Sequence, residues 1–468
     1  MGPFLVMQED SFRDSVATID DDGKRVHIYP KKVKGKFASA RQYVAYVLLA
    51  ILFVGPWIKI GGQPMFMIDV LGRKFVLLGQ IFRPADTFIF VLLMISGVVS
   101  VIVFTVAFGR IFCGWICPQT IFLEHVYRKI EYWIEGDRNR QMKLAKQPWN
   151  WEKIWKKGLK NFIFYLIAFV VSNVFLQYLV GSDRWLDLIN DGPMAHLGNF
   201  SAIVVFSFVF YFVFAWFREQ ACIVVCPYGR LQGVLLDRNS LVIIYDWLRG
   251  EPRSKGKRND DDGKGACVDC GLCVQVCPTG IDIRNGTQLE CVNCTACIDV
   301  CDEVMVKTGQ EPGLIRFDSV NGVEQGERKV LTPRTWAYMA ILTLLLGIVI
   351  TLLSTRAQVE TIFLRMPGQL YQKEGTTITN AYNFTLINKS DEVMNLVLEL
   401  ESPEGTMRVA GGDTVHLQPE AIVHGAAIVG IERAELADEK QRITVRVMNN
   451  GEEIDRIKTN FLGPMIRK

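Results

Sequence analysis

Apolar and polar residues follow one another along this chain in long blocks. Windows 42–60, 87–109, 160–180, 199–217 and 336–354 are mostly apolar, and each has about the twenty residues a helix needs to cross a bilayer. A sixth apolar stretch, 66–82, has Arg73 and Lys74 at its centre. Two central charges are too costly for a span, so this stretch is predicted to be a surface hairpin with Gly72 in its turn. After the fifth window the period changes to two: "TITNAYNFTLIN", "MNLVLELESP", "TVHLQP" and "RITVRVMNNGEEIDRIKTNF". About seven short strands, with turn signals such as Asn450-Gly451, predict an Ig-like β-sandwich of roughly a hundred residues.

The predicted fold class is a multidomain membrane protein: a five-span α-helical bundle, an inserted two-cluster ferredoxin-like domain, and a C-terminal all-β Ig-like sandwich. The expected boundaries are an N-terminal tail at 1–41 and a four-helix membrane region at 42–245. A charged, glycine-rich linker at 246–266 reads as a flexible tether. The cluster domain occupies 267–335, the fifth span 336–354 and the sandwich 355–468. Lys and Arg crowd residues 24–41 and the loop after the second span, whereas the loop 181–198 has only Arg184. The positive-inside rule then puts the N-terminus and the cluster domain in the cytoplasm and the sandwich outside. No cleavable signal peptide is expected in the polar first forty residues.

Half of the 468 residues are hydrophobic and the formal net charge is +3, which excludes a nucleic-acid binder driven by overall charge. The twelve cysteines all lie between residues 113 and 301. A secreted disulfide framework would spread them through its domains, so they are read as ligands. Eight form two runs: Cys267, Cys270, Cys273 and Cys277-Pro278, then Cys291, Cys294, Cys297 and Cys301-Asp302. A zinc site uses two Cys-x-x-Cys arms with a longer insert. A triple with two-residue gaps, occurring twice, points to two 4Fe–4S clusters. In such proteins the fourth cysteine of each run serves the other cluster. Cluster A is therefore expected on Cys267, Cys270, Cys273 and Cys301, and cluster B on Cys277, Cys291, Cys294 and Cys297. The acidic Asp302, where the first run has Pro278, predicts the lower potential for the cluster at Cys301.

The other four cysteines form a weak repeat. Spans one and two lead into "GRIFCGWICPQT" and spans three and four into "FREQACIVVCPYGR". Cys113/Cys117 and Cys222/Cys226 are each spaced i, i+4, which on a helix puts both sulfurs on one face about 6 Å apart. Pro118 and Pro227 are expected to end or kink those helices. One pair alone reads as small buried residues; two matched pairs point to a joint catalytic and metal site. Four thiolates suit Cu(I) above all, with a cluster-like or disulfide role as alternatives. Arg110 and Arg218 could lower the thiol pKa values or act as positive-inside anchors. Met65 and Met67 are read as apolar filler rather than thioether ligands, and His125 as an interfacial residue. His196, His416 and His424 receive no role. No motif for c-type haem, NAD, FAD or ATP occurs.

With these residues read, the chain resembles the CcoG family, also called FixG or RdxA, of cytochrome c oxidase accessory proteins. The resemblance runs over nearly the whole length. It rests on the two Cys-x-x-x-Cys-Pro pairs, the double ferredoxin run between the fourth and fifth spans, and the C-terminal sandwich. It implies a cytoplasmic-membrane protein with two 4Fe–4S clusters, needed to assemble cbb-type haem–copper oxidases, and a cupric reductase activity that supplies Cu(I). The implied partners are the lipid bilayer, copper, a copper chaperone or transporter and oxidase assembly factors; monomer and homodimer both stay open. The competing readings are a quinol-oxidising polyferredoxin subunit and a non-enzymatic oxidase assembly scaffold.

Overall fold

The computed structural model describes residues 18–464 except 20, 21, 23, 71, 73, 83–86, 256–262, 330, 356, 357, 369, 391, 420 and 437. These residues form two compact units. One holds most of the membrane helices and the cysteine-rich segment; the other holds the sandwich.

Among the described residues, five helices are long and apolar enough to cross a membrane: Lys36–Trp57, Phe88–Phe108, Trp151–Val180, Leu197–Phe217 and Pro333–Ser354. The third starts nine residues before its apolar window. The Asn150 side chain accepts from the Lys153 amide, which satisfies one of the orphan donors at a helix start. The charged first turns therefore belong to the helix although they cannot enter hydrocarbon.

The first span begins on the cysteine-rich segment. The Asp299 carboxylate accepts from the amides of Phe37 and Ala38, at 3.1 and 2.7 Å, so an acid from a distant helix caps this N-terminus. A Cβ on Gly35 would collide with that carboxylate. Upstream, the Lys31 amide donates to the Gln275 carbonyl at 2.8 Å. From Lys31 to Arg41 the predicted N-terminal tail is thus part of the scaffold of the cysteine-rich segment.

The predicted tether is also anchored. Strand Val242–Tyr245 pairs antiparallel with Ile315–Asp318, on the far side of all eight cysteines. The Ala266 amide donates to the Arg249 carbonyl and the Gly265 amide to the Pro252 carbonyl. These bonds close the loop; its middle, 256–262, lies outside the described residues. Charge and glycine mark a solvated loop, but they do not show whether its ends are tied.

In the 66–82 stretch the Asp69 carboxylate accepts from the Gly72 amide at 2.8 Å, which makes the turn predicted there; Arg73 lies outside the described residues. The tight antiparallel hairpin comes later, where Lys74–Leu77 pairs with Gln80–Phe82. Its two turn residues, Leu78 and Gly79, both have positive φ, the twist that a two-residue hairpin requires.

The sandwich has nine described strands. One sheet has the order Thr406–Val409, Ile422–Glu432, Thr377–Asn388, Val359–Arg365, with Gln372–Glu374 also on Thr377–Asn388; the other has Thr414–Leu417, Met394–Ser402, Lys440–Asn449, Glu452–Leu462. Its core includes Tyr382, Phe384, Leu396, Val445 and Phe461. Strand Ile422–Glu432 escapes the pattern because its inner positions include Gly and Ala. Gly425 lies opposite Phe384, and a Cβ there would enter the phenyl ring. The Asn450-Gly451 turn has φ of 49° and 90°, as its sequence signal predicts.

Candidate functional site

The two cysteine runs fold alike. In "CVDCGLC" and "CVNCTAC" the third and fifth residues all have positive φ: Asp269 at 48°, Gly271 at 64°, Asn293 at 53° and Thr295 at 66°. Asp, Asn and Gly tolerate this region best, and its repeated use curls each loop around its sulfurs. A helix follows each curl, Leu272–Gln275 and Ala296–Lys307. Cys267, Cys270, Cys273 and Cys301 line one small cavity. Cys277, Cys291, Cys294 and Cys297 line a second, which Cys273 also reaches. These are the two crossed sets that the spacing predicts.

Burial pushes the thiols of Cys273, Cys291 and Cys301 up to about 12, with help from neighbouring cysteines. Thiols so placed stay protonated until a metal displaces the proton. Among the described residues, no group of three or more His, Cys, Asp or Glu side chains stands at the spacing one metal ion would need. A four-iron cluster holds its thiolates farther apart than a single ion does, so the two cavities fit clusters by both donor chemistry and number. A second observation agrees. The Arg41 guanidinium is buried, donates to the Cys294 carbonyl at 2.8 Å, and has no carboxylate partner among the described residues. A buried cation of this kind calls for an anion, which a thiolate-ligated cluster supplies.

The structure brings Cys113, Cys117, Cys222 and Cys226 within electrostatic reach of one another, though not at the spacing that one metal ion would need. Cys113 lies within electrostatic reach of Cys117 and Cys226, and Cys222 within reach of the other three. The local geometry differs from the expected helical pairs. Cys113 is in a short helix, Ile111–Trp115, but Cys117 is extended at φ −59°, ψ 125°. Cys222 lies in a wide turn, Ala221–Val225, and Cys226 is extended at φ −65°, ψ 111°. Pro118 and Pro227 are the first residues of the following helices, rather than the ends of the preceding ones. The physical reason is shared: a residue before proline is driven out of the α region, and proline fits the first helical position.

Several partners of this quartet carry no sequence signal. The Cys113 thiol donates to Gln232 Oε1 at 3.2 Å, and Arg110 Nε donates to the same oxygen at 2.8 Å. Gln232 is fully buried, and its Nε2 has no partner. Arg110 also donates to the Leu289 carbonyl beside the second cluster run. Arg110 and Arg218 are 4 % and 2 % exposed, so neither is a solvated positive-inside anchor. Arg218 instead holds Glu131 with both nitrogens, at 2.6 and 3.0 Å. Arg128 reaches Glu124, Glu219 and the Pro278 carbonyl.

Cys113 shares one hydrophobic core with Val292 and Cys294 of the cluster-B loop. Gly114 makes the approach possible, because its Cβ would lie 2.5 Å from the Val292 carbonyl oxygen. Gly114→Ala is expected to push that loop away, since backbone cannot yield as a side chain does. Iron content should stay normal, while electron delivery from the clusters to an acceptor at the quartet slows several-fold in stopped-flow traces.

Burial pushes the Cys222 thiol up to about 12 and raises those of Cys113 and Cys117. A soft ion that bound these thiols would have to displace their protons. Affinity is expected to rise with pH between 6 and 8, by about tenfold per unit for each proton released. A competition titration with a Cu(I) chelator measures that slope.

The weaker candidates lie elsewhere. Met67 is buried against Gly181 at the other end of the third span, about a membrane thickness from the quartet. Met65 donates its amide to the Ile58 carbonyl and joins no cysteine. His125 is buried, with Nε2 unpartnered, and burial pushes it down to about 3 with Arg41 and Lys129 adding to the effect. His196, His416 and His424 pair with Asp191, Asn395 and Thr385.

Comparison with known proteins agrees with this architecture. Residues 217–320 match the 4Fe-4S dicluster domain family, residues 90–141 a 4Fe-4S binding domain family, and residues 349–464 the Ig-like fold at the C-terminal of FixG. RdxA of Cereibacter sphaeroides is 34% identical over 403 residues, covering 81% of this chain and 83% of that protein. RdxB of the same organism is 33% identical over 401 residues, with the same shares. The nitrogen fixation protein FixG of Rhizobium meliloti is 30% identical over 491 residues, covering 94% of this chain and 93% of that protein. Five apolar helices, a paired set of cluster-ready cysteine loops and identity sustained over this length together show that the chain belongs to the FixG/RdxA family of multi-pass, iron–sulfur electron-transfer proteins.

Proposed function

We propose that the protein is a membrane cupric reductase that supplies Cu(I) for assembly of a cbb-type haem–copper cytochrome c oxidase. The observation that carries this reading is the convergence of both Cys-x-x-x-Cys-Pro pairs within electrostatic reach of one another, with Cys113 packed on the cluster-B loop. Cluster A would be held by Cys267, Cys270, Cys273 and Cys301, and cluster B by Cys277, Cys291, Cys294 and Cys297; when bound, they store and pass single electrons. Cys113, Cys117, Cys222 and Cys226 bind Cu(II) as substrate. Thiolates favour the cuprous state, so the quartet adds driving force to the one-electron reduction. The Lys and Arg distribution assigns the clusters and the quartet to the cytoplasmic face and the sandwich to the periplasmic face. Purified protein reduced with dithionite and freed of excess reductant should convert about two Cu(II) per chain, one for each reduced cluster, read as the Cu(I)–bathocuproine complex. Reduction no faster than with the same folded protein left unreduced would end the proposal.

An apolar cavity between the third and fourth spans, rimmed by Asp69, Ser172, Arg184 and Asn199, bears on the quinol-oxidising alternative. It opens at the start of the fourth span, whereas Cys222 follows that span's end. Its lining runs from Asn199 to Phe206, so a quinol there would lie roughly 17–27 Å along the fourth span from its end at Phe217, a separation that does not favour direct electron exchange with the quartet.

A further inference from the structure

Charge is distributed unequally around the two cluster cavities. Around cavity A, Asp302 acts on Cys301, and Asp282 acts on Cys273 beside the larger, opposite effect of Arg284. The one guanidinium lining that cavity, Arg284, is already claimed by Asp282 at 2.7 Å and Asp269 at 2.6 Å. The B set faces cations. Arg41 donates to the Cys294 carbonyl, and Arg110 acts on Cys291. Neither arginine has a carboxylate partner among the described residues, and both are buried. Asp299 lies on the helix between Cys297 and Cys301, but its charge is taken up by the Phe37 and Ala38 amides at the positive end of the first span.

We infer that Arg41 is a positioning residue that holds cluster B at a higher reduction potential than cluster A. The physical cause is the charge of the reduced state. Reduction adds one negative charge to the cluster. A buried, unneutralised guanidinium against the Cys294 loop favours that charge, while Asp302 beside Cys301 opposes it at cavity A. The low local dielectric keeps the guanidinium effective, and its place on the first membrane helix fixes it there. Arg41 Nε is also buried without a partner, so the side chain keeps unspent donor capacity directed at this region. The ordering makes the B side, which abuts the quartet, the favoured resting place for an electron. The inference rests on the cluster assignment above but not on copper.

The test is a reductive titration of the full-length protein in detergent with dithionite, in the absence of copper, followed by electron paramagnetic resonance. Cluster B is identified by the signal lost in Cys291→Ala. Wild type should show B reduced before A. Arg41→Gln should lower the midpoint of B and leave A unmoved, and Arg41→Lys, which keeps the charge, should restore most of the loss. Asp302→Asn, which keeps the oxygen that accepts from the Gly313 amide at 2.8 Å, should raise A alone. If Arg41→Gln does not retain cluster B, the wild-type order and Asp302→Asn decide. A reduced before or together with B, equal shifts of both clusters in Arg41→Gln, or Arg41→Lys behaving as Arg41→Gln would overturn the inference. The copper assay would be untouched by that result, so the two proposals fail separately.

Discussion

Changing Cys113, Cys117, Cys222 and Cys226 together to serine is expected to reduce Cu(II) turnover to background while leaving iron content and cluster spectra intact. Serine matches cysteine in shape, but its hard oxygen is a poor ligand for a soft ion. Cys113 is the only one of the four that packs in the core with Val292 and Cys294, so serine there costs a little packing and leaves the cluster ligands in place. Iron analysis and the Cu(I)–chelator rate on the same preparation separate a lost substrate site from a lost electron store. An unchanged rate would remove the quartet from the chemistry, whatever its local geometry.

The largest expected stability effect is at the buried ion network beside the quartet. Glu131→Gln or Arg218→Met should each cost up to about 3–5 kcal/mol, because the remaining buried charge keeps only a longer contact, Arg218 to Glu219 at 3.5 Å or Glu131 to Lys160 at 3.6 Å. The melting midpoint should fall by roughly 10 °C, read by nanoscale fluorimetry in detergent. A double change, Glu131→Leu with Arg218→Met, should lose less than either single one, since no charge is then orphaned. Burial alone would push the Glu131 carboxyl up, but Arg218, Lys160 and Arg128 outweigh burial and hold it at about 2. The sign follows. A depressed carboxylate contributes stability that is complete above its unfolded value and is lost only as pH falls toward 2. Wild type should therefore keep this contribution through mild acid.

The cluster cysteines were legible because their information is local. Gaps of two residues, repeated, are enough to show which thiols curl around one cavity, and the crossing of the fourth ligand follows from that. The membrane pairs were legible as pairs, but the prolines misled about their conformation. A helical spacing was read through residues that proline forces out of the helix. Arg41, Asp299 and Gln232 were illegible for a different reason. Arg41 meets Cys294 across 253 residues, Phe37 meets Asp299 across 262, and Cys113 meets Gln232 across 119. Before folding, an arginine at a span's edge looks like any interfacial cation. Only burial without a carboxylate distinguishes it. The sandwich strand Ile422–Glu432 was hidden by its own function in packing, since Gly425 must be small to admit Phe384.

The Asp299 cap gives the protein a timetable. Ala38 and the carboxylate that receives its amide are 261 residues apart, so during synthesis at 5–20 residues per second the first membrane helix waits roughly 10–50 s for its cap. Until then its opening amides have only water or headgroups as partners, and Arg41 lacks the loop it serves. An early helix of the nascent chain is thus finished by a much later segment, and its first turn is complete only once the second cysteine run has been made.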